Sequence, residues 1–216
     1  MFIGVALVVI SGLSFKIFLK YLDKTKFSKY FIWLFVSIIF SIVNLVKAQS
    51  FKIVPTSSNL TIYGTSNLHD WEIKVTQING ELEIDSSKQI TALIVKIPVR
   101  SLKSGKRAMD DKTYASIDDE KNPNIIFQLT ESSPIKIIDK DIGVTLTGNL
   151  TLAGETKKIS IKTTAKITEA GDYQLKGSVP LKITDFKIKP PTAVFGTLKT
   201  RDAVTALFDI TYSMHL

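Results

Sequence analysis

The feature that most constrains this chain is a two-residue alternation of apolar and polar side chains, which begins near residue 51. In VTLTGNLTL (144–152), the even positions are apolar or glycine, whereas the odd positions are Thr and Asn. The same alternation recurs at residues 93–99, 125–129, 159–165, 173–181 and 204–212. Because successive side chains of a strand point to opposite faces of a sheet, the pattern predicts antiparallel strands with one dry face and one wet face.

Turn-forming residues separate these segments, as in Asp85-Ser86-Ser87, Ala153-Gly154-Glu155 and Ala170-Gly171-Asp172. The parity of the apolar positions changes near Asn79-Gly80, which predicts a bulge or turn that absorbs one residue. The stretch 104–123 lacks the alternation and predicts a short helix in a long loop.

The fold class is therefore all-β, with about eight strands that each have one apolar face. Such a sheet either folds over itself as a sandwich or closes into a barrel. An eight-stranded barrel has room for packed side chains or for one small ligand. Periodicity leaves these alternatives open.

Composition removes several kinds of chemistry. The 216 residues include no cysteine, which excludes a disulfide scaffold, a thiolate nucleophile and a cysteine-ligated metal site. The two histidines, His69 and His215, argue against a multi-histidine metal site. The net charge of +8 comes largely from residues 1–49, where six lysines stand against Asp23. The remaining charges are interleaved, so the sequence does not favour nucleic-acid binding.

The first 48 residues are predicted to form a hydrophobic leader. The apolar runs FIGVALVVISGLSF (2–15) and FIWLFVSIIFSIVNLV (31–46) flank a lysine-rich stretch. The second run ends in VKAQS, whose small residues predict signal-peptide cleavage after Ala48. A retained membrane anchor is the alternative, although both runs are shorter than the ~20 residues that span a bilayer. The lysines would stay cytoplasmic, so either interpretation predicts an exported, periplasmic domain at residues 49–216.

Four blocks carry a family resemblance: SNLTIYGTSNLHDW (58–71), the stretch 99–127, VTLTGNLTLAGETKKI (144–159) and the stretch 177–210, which includes ITDFKIKPP. Their order and spacing resemble the YceI-like family of exported, lipocalin-like β-barrels. The resemblance implies an eight-stranded antiparallel barrel with an apolar tunnel that binds a polyisoprenoid chain, such as a prenyl lipid or a quinone tail. It also implies a non-catalytic protein without a further cofactor. Many members carry Arg-Asp where Met109-Asp110 stands here, which leaves Arg107 as a nearby basic alternative.

Inward parity together with the resemblance predicts the residues that line the tunnel. They are Trp71, Leu93, Val95, Ile97, Phe127, Leu146, Leu150, Leu152, Ile161, Leu175, Phe186, Phe195 and Phe208. The partner is an isoprenoid lipid, and membrane contact is expected through the leader or during lipid exchange. Parity alone favours aromatic side chains that simply fill a closed core. The inward glycines Gly148 and Gly177 would either kink a strand or open space for a ligand.

Two other functions remain open. A filled barrel would serve as a structural or interaction module in the cell envelope. An enzyme acting on a lipid or quinone would place His69 and Asp70 near the mouth, although neighbouring residues on a strand face opposite sides. The acidic residues between Asp110 and Glu120 lack the spacing of a calcium loop, which favours a solvated helix face.

Overall fold

The computed structural model describes residues 48–214 except 132, 135, 139, 140 and 194–196, and it describes only the backbone of 133–142 and 193. The predicted leader lies outside the described residues apart from Ala48. The strands are β1 (Gln49–Ile53), β2 (Asn59–Ser66), β3 (Asp70–Val75), β4 (Asn79–Ile84), β5 (Gln89–Pro98), β6 (Leu102–Lys103), β7 (Asn124–Leu129), β8 (Ser133–Pro134), β9 (Lys136–Ile138), β10 (Asp141–Leu152), β11 (Glu155–Ile167), β12 (Tyr173–Lys182), β13 (Thr192–Ala193) and β14 (Leu198–Ser213). The helix α1 spans Arg107–Ile117, and 3₁₀ turns cover Pro55–Ser57, Val99–Ser101 and Ile183–Phe186.

These segments form an eight-stranded antiparallel barrel, as predicted. Four of the eight barrel strands are interrupted, so that each is made of two or three consecutive segments. These are β1 and β2, β3 and β4, β5 and β6, and β7, β8 and β9. The other four are β10, β11, β12 and β14. One edge of β14 pairs with β12, and its other edge pairs with β2 and, through Tyr212, with Ile53 of β1. The last strand therefore closes on the first.

The predicted change of parity lies where the barrel strand is interrupted between β3 and β4. Hydrogen bonds join this interruption to the one between β5 and β6 in the neighbouring strand. The Ser101 hydroxyl donates to the Pro98 carbonyl at 2.7 Å and to the Gln77 carbonyl at 3.1 Å. The Thr76 hydroxyl donates to the Ser101 carbonyl at 3.0 Å. These bonds satisfy backbone carbonyls that leave the ladder, so adjacent strands bend together.

The predicted turns lie where the sequence placed them. Asp85 accepts the backbone N–H groups of Ser87 and Gln89 through Oδ1, each at 2.9 Å. Ala153 and Gly154 both have positive φ, 51° and 80°, as a two-residue hairpin between β10 and β11 requires.

Helix α1 occupies the long loop between β6 and β7, as predicted. Asp110 is buried and accepts both the backbone N–H of Ser104 at 2.8 Å and its hydroxyl at 2.6 Å. The Tyr114 hydroxyl donates to the Leu102 carbonyl at 2.8 Å. The helix ends at Asp118, whose φ of 57° is left-handed. Two side chains thus fasten the helix to the end of the preceding strand.

The two ends of the barrel differ. The hairpin turns 85–88 and 168–172 lie at one end, because strand direction alternates around an up-and-down barrel. Side chains from β1, β4 and β5 fill this end, including Phe51, Leu82 and Ile90, each no more than 3% exposed. The opposite end carries α1, the β2–β3 turn and the segment between β12 and β14.

Candidate ligand-binding cavity

A cavity of about 460 Å³ occupies the barrel interior beyond the packed end. Apolar side chains from β2, β3, β5, β7, β10, β11, β12 and β14 line it. On β14 the lining runs from Leu198 to Tyr212, about 45 Å of extended strand at ~3.3 Å per residue. The inner wall is therefore long and apolar.

Eleven of the thirteen predicted site residues line this cavity. They are Trp71, Leu93, Val95, Ile97, Phe127, Leu146, Leu150, Leu152, Ile161, Leu175 and Phe208. The alternation placed them correctly on one face, because each belongs to a strand whose other face meets solvent. That they contact a ligand stays a prediction.

The other two residues do not join this set. Phe186 lies in the 3₁₀ turn after β12 and is 3% exposed, but it does not line the cavity. A turn breaks the strand alternation, so parity carries no information about the direction of this ring. Phe195 lies outside the described residues.

The inward glycines make room for aromatic rings. Gly64 lies opposite Trp71, and Gly177 lies opposite Phe208 in the strand ladders. A methyl group added at Gly64 would lie under 3.0 Å from three ring atoms of Trp71, and one at Gly177 would lie 2.8 Å from Phe208 Cζ. Gly148 faces Leu129 in the ladder, and a methyl group added there would lie 2.8 Å from Phe127 Cζ on the same neighbouring strand. The rings thus lie against the wall over glycine, which leaves the cavity open.

Trp71 carries an unsatisfied polar group. Its indole Nε1 is buried and has no hydrogen-bond partner in the described structure. Burying such a donor costs about 1–3 kcal/mol. The Trp71 ring packs tightly on Gly64, and in this position its Nε1–H donates no hydrogen bond.

The helix supplies lining residues that the strand alternation missed. Ala108, Met109, Thr113, Ser116 and Ile117 line the cavity from α1. Positions 109, 113, 116 and 117 follow the i, i+4, i+7, i+8 spacing of one helix face, which is the signal that could have found them. Arg107 is not part of this lining, and its Nε lies 3.9 Å from Asp111 at the surface.

Polar groups of the lining gather at the α1 end, which is the mouth. Ser66, His69, Lys106, Lys112 and Thr200 line the cavity there. Lys112 Nζ donates to the Thr192 carbonyl at 2.9 Å and so ties α1 to the segment across the mouth. Among the described residues, no carboxylate lines the cavity, so its charged lining is basic.

Tyr212 forms the opposite limit of the lining. The side chain is 1% exposed, and burial raises the pKa of its hydroxyl well above the ordinary range. The neutral phenol is favoured because an anion would lose its hydration in this interior.

The candidate catalytic and cation-binding groups have local structural partners. His69 Nδ1 lies 3.3 Å from the Ser66 hydroxyl within the exposed β2–β3 turn. Asp118 pairs with Lys121 at 2.7 Å, and Asp119 pairs with Arg100 at 2.6 Å. Across the described residues, no group of three or more His, Asp or Glu side chains is placed to hold a metal ion. Nor does any described helix have the length and apolar character to cross a membrane.

Comparison with known families gives a match to the YceI-like domain over residues 51–212. The chain belongs to the YceI-like family. The match covers every described strand except the first residues of β1 and the last of β14. A comparison with curated proteins found no match.

Solved structures share this YceI-like fold. BcnA from Burkholderia cenocepacia superimposes with a TM-score of 0.61 and 18% identity, covering 74% of this chain and 98% of BcnA. A polyisoprenoid-binding domain from Saccharophagus degradans, implicated in plant cell wall breakdown, gives 0.60 and 13%, covering 77% and 99%. The YceI protein of Campylobacter jejuni gives 0.50 and 19%, covering 63% and 81%. At these identities the likeness establishes the fold.

Proposed function

We propose that this YceI-like protein sequesters or carries an isoprenoid lipid, such as a prenyl lipid or a quinone, in the barrel cavity. The observation that carries the proposal is the apolar cavity of about 460 Å³ with a polar mouth at one end. The name of the Saccharophagus domain supports the ligand class, since that domain binds polyisoprenoids and has the same fold.

Apolar burial alone is sufficient to retain such a ligand. Removing apolar surface from water stabilises a complex by about 25 cal/mol per Å². Burying ~400 Å² of a prenyl tail would contribute up to ~10 kcal/mol before the costs of ordering and association. The apolar lining of eight strands therefore supports binding without a specific hydrogen bond to the tail.

The proposal includes export to the periplasm, directed by the leader, with cleavage after Ala48 or retention as an anchor. The charged-then-apolar order of residues 24–46 supports export. It also includes contact with the membrane when lipid enters or leaves the cavity.

The open cavity argues against the filled-barrel interaction module, which would need those inward aromatic rings to occupy the interior. The rings of Trp71, Phe127 and Phe208 lie over glycines instead. The placement of His69 on an exposed turn gives the enzyme alternative no specific support.

The test uses Trp71 as a reporter, since its ring lies on the cavity wall. Lipid-depleted full-length protein is titrated with a long-chain ubiquinone while tryptophan fluorescence is recorded. We expect quenching that saturates near one quinone per protein, because a bound quinone lies beside the indole. The uncleaved Trp71→Phe variant is the control, since Trp33 of the leader is then the emitter that remains. Equal quenching of both proteins would contradict cavity binding.

A further inference from the structure

The mouth of the barrel presents an exposed leucine. Leu68 is 72% exposed, whereas Leu207, on the outer barrel wall, is 45% exposed. Leu68 lies in the turn between β2 and β3, flanked by the mouth residues Ser66 and His69. A single exposed leucine is common on a protein surface. Leu68 is distinguished by its position, between two residues that line the entrance to an apolar cavity.

This turn is held in place by hydrogen bonds. Asn67 Nδ2 donates to the Thr197 carbonyl at 2.8 Å, and Asn67 Oδ1 accepts the backbone N–H of Lys199 at 2.8 Å. The backbone N–H of Asn67 donates to the Lys199 carbonyl at 3.1 Å. The Ser66 hydroxyl accepts the backbone N–H of Leu68 at 3.2 Å. The fold therefore fixes Leu68 in its exposed position.

Basic groups surround the same mouth. Lys106 and Lys112 line the cavity there, and Lys199 is bonded through its backbone to Asn67 beside Leu68. Carboxylates lie at this end as well: Asp70 follows His69 in sequence, Asp111 faces Arg107 at 3.9 Å, Glu155 pairs with Lys187 at 2.7 Å, and Asp202 accepts the Thr184 hydroxyl at 2.9 Å. Unlike Lys106 and Lys112, none of these carboxylates lines the cavity. We call Leu68, Lys106, Lys112 and Lys199 the rim. Its apolar tip and basic surroundings are complementary to an anionic lipid surface, where phosphates lie above acyl chains.

We propose that the rim docks on an anionic bilayer, with Leu68 inserted at the acyl boundary and the lysines on lipid phosphates. Docking would put the mouth against the membrane, so that an isoprenoid chain passes between bilayer and cavity without crossing water. This inference rests on the proposed function, since a membrane-facing mouth has a role only if lipid enters the cavity.

A single label tests docking at the rim itself. The chain contains no cysteine, so Leu68→Cys creates one unique site for the environment-sensitive fluorophore NBD. Leu207→Cys is the matched control, an exposed leucine on the side of the barrel. Labelled full-length proteins are mixed with vesicles of phosphatidylcholine alone or with phosphatidylglycerol.

We expect the label at position 68 to shift to the blue and brighten about twofold or more with anionic vesicles, and the label at 207 to stay unchanged. In the Lys106→Glu, Lys112→Glu background, the vesicle concentration for half-maximal shift should rise about tenfold, because those variants place negative charge at the rim. No response at position 68, or an equal response at position 207, would overturn the docking proposal.

Lipid content separates this proposal from the proposed function. The Leu68→Glu variant should retain the lipid of the wild type but release it to anionic acceptor vesicles at least about fivefold more slowly. If Leu68→Glu changes neither the lipid content nor the rate of lipid transfer, the docking proposal is contradicted and the carrier function is not. Failure of the wild type to quench with ubiquinone contradicts the carrier function, whatever position 68 does.

Discussion

At the scale of the residue, the cavity depends on pairs of one glycine and one aromatic ring. Trp71 lies over Gly64, and Phe208 lies over Gly177. The missing side chain leaves space for a ring to lie against the wall, where it contributes apolar area without filling the interior. The large ring therefore fits against the wall only because the facing residue has no Cβ.

The Gly64→Ala substitution tests this pairing of glycine and ring. The added methyl overlaps Trp71 ring atoms, so the ring must move toward the cavity. We expect the free energy of unfolding to fall by about 1–3 kcal/mol, the usual range for overpacking. Urea denaturation of the wild type and the variant measures the change.

The control is the double variant Gly64→Ala, Trp71→Leu. The smaller side chain removes the overlap, so the two substitutions should couple by about 1 kcal/mol or more in favour of the double variant. Additive effects would mean that Trp71 does not need the glycine.

Tyr212 predicts a dependence of stability on alkaline pH. Burial raises the pKa of its hydroxyl in the folded state, whereas the unfolded side chain titrates near pH 10. The unfolded state therefore loses this proton first as pH rises, and stability falls above about pH 10 by up to ~1.4 kcal/mol per pH unit.

The matching measurement is urea denaturation of the wild type and Tyr212→Phe between pH 8 and about pH 11. The difference in unfolding free energy between the two proteins should stay constant below pH 9 and shift in favour of Phe above about pH 10. A constant difference over the whole range would contradict a buried phenol at this position.

At this scale the sequence predicted which face of a strand each side chain occupies, but not which residues it contacts. Alternation places Leu146, Leu150 and Leu152 on the inner face correctly. It left Gly148 and Gly177 ambiguous, because the ring that covers each glycine belongs to another strand. Only the register between strands shows which residues meet.

At the scale of the element, α1 forms one side of the mouth. Tyr114 accepts a hydrogen bond from Lys103 Nζ at 2.8 Å and donates to the Leu102 carbonyl at 2.8 Å. The bond to the phenol also raises the pKa of Lys103. These contacts join the helix to β6, so they set the position of the helix face that lines the cavity.

The Tyr114→Phe variant should lower the free energy of unfolding by about 1–2 kcal/mol, because it leaves a buried carbonyl without its hydroxyl donor. Amide hydrogen exchange in α1 should speed up more than exchange in the strands. Tyr63→Phe is the control, since Tyr63 is 42% exposed on the outer wall and its loss should change stability by under about 0.5 kcal/mol. Equal effects of the two substitutions would contradict a fastening role for Tyr114.

The position of α1 was predictable, but its role was not. A stretch without alternation and with good helix formers indicates a helix in a loop, and the structure places one at Arg107–Ile117. The sequence does not show which barrel end the loop covers, because that depends on strand order. Phe186 does not line the cavity for a related reason, since it lies in a 3₁₀ turn where strand alternation no longer indicates the direction of a side chain.

At the scale of the whole molecule, the barrel combines a packed end and an open end. Both interpretations of the inward aromatic residues are thus realised in different places: Phe51 packs on Tyr173 with ring centroids 4.9 Å apart, whereas Phe127 lines the cavity. Periodicity could not decide between sandwich and barrel, because closure depends on contacts between the first and last strands. The hydrogen bond between Ser58 and Thr211 joins residues 153 positions apart.

The most direct test of the account is the lipid content of the protein itself. The full chain is expressed in a bacterial host, purified without detergent and extracted with organic solvent, and the extract is identified by mass spectrometry. Leu150→Arg places a charge on the cavity wall, and Asn149→Arg, its exposed neighbour, is the control with the same charge on the outer face. We predict about one isoprenoid lipid per protein in the wild type and in Asn149→Arg, and at least about tenfold less in folded Leu150→Arg, because the tail cannot offset burial of the guanidinium. An empty wild-type extract, or full lipid in folded Leu150→Arg, would contradict binding in the barrel.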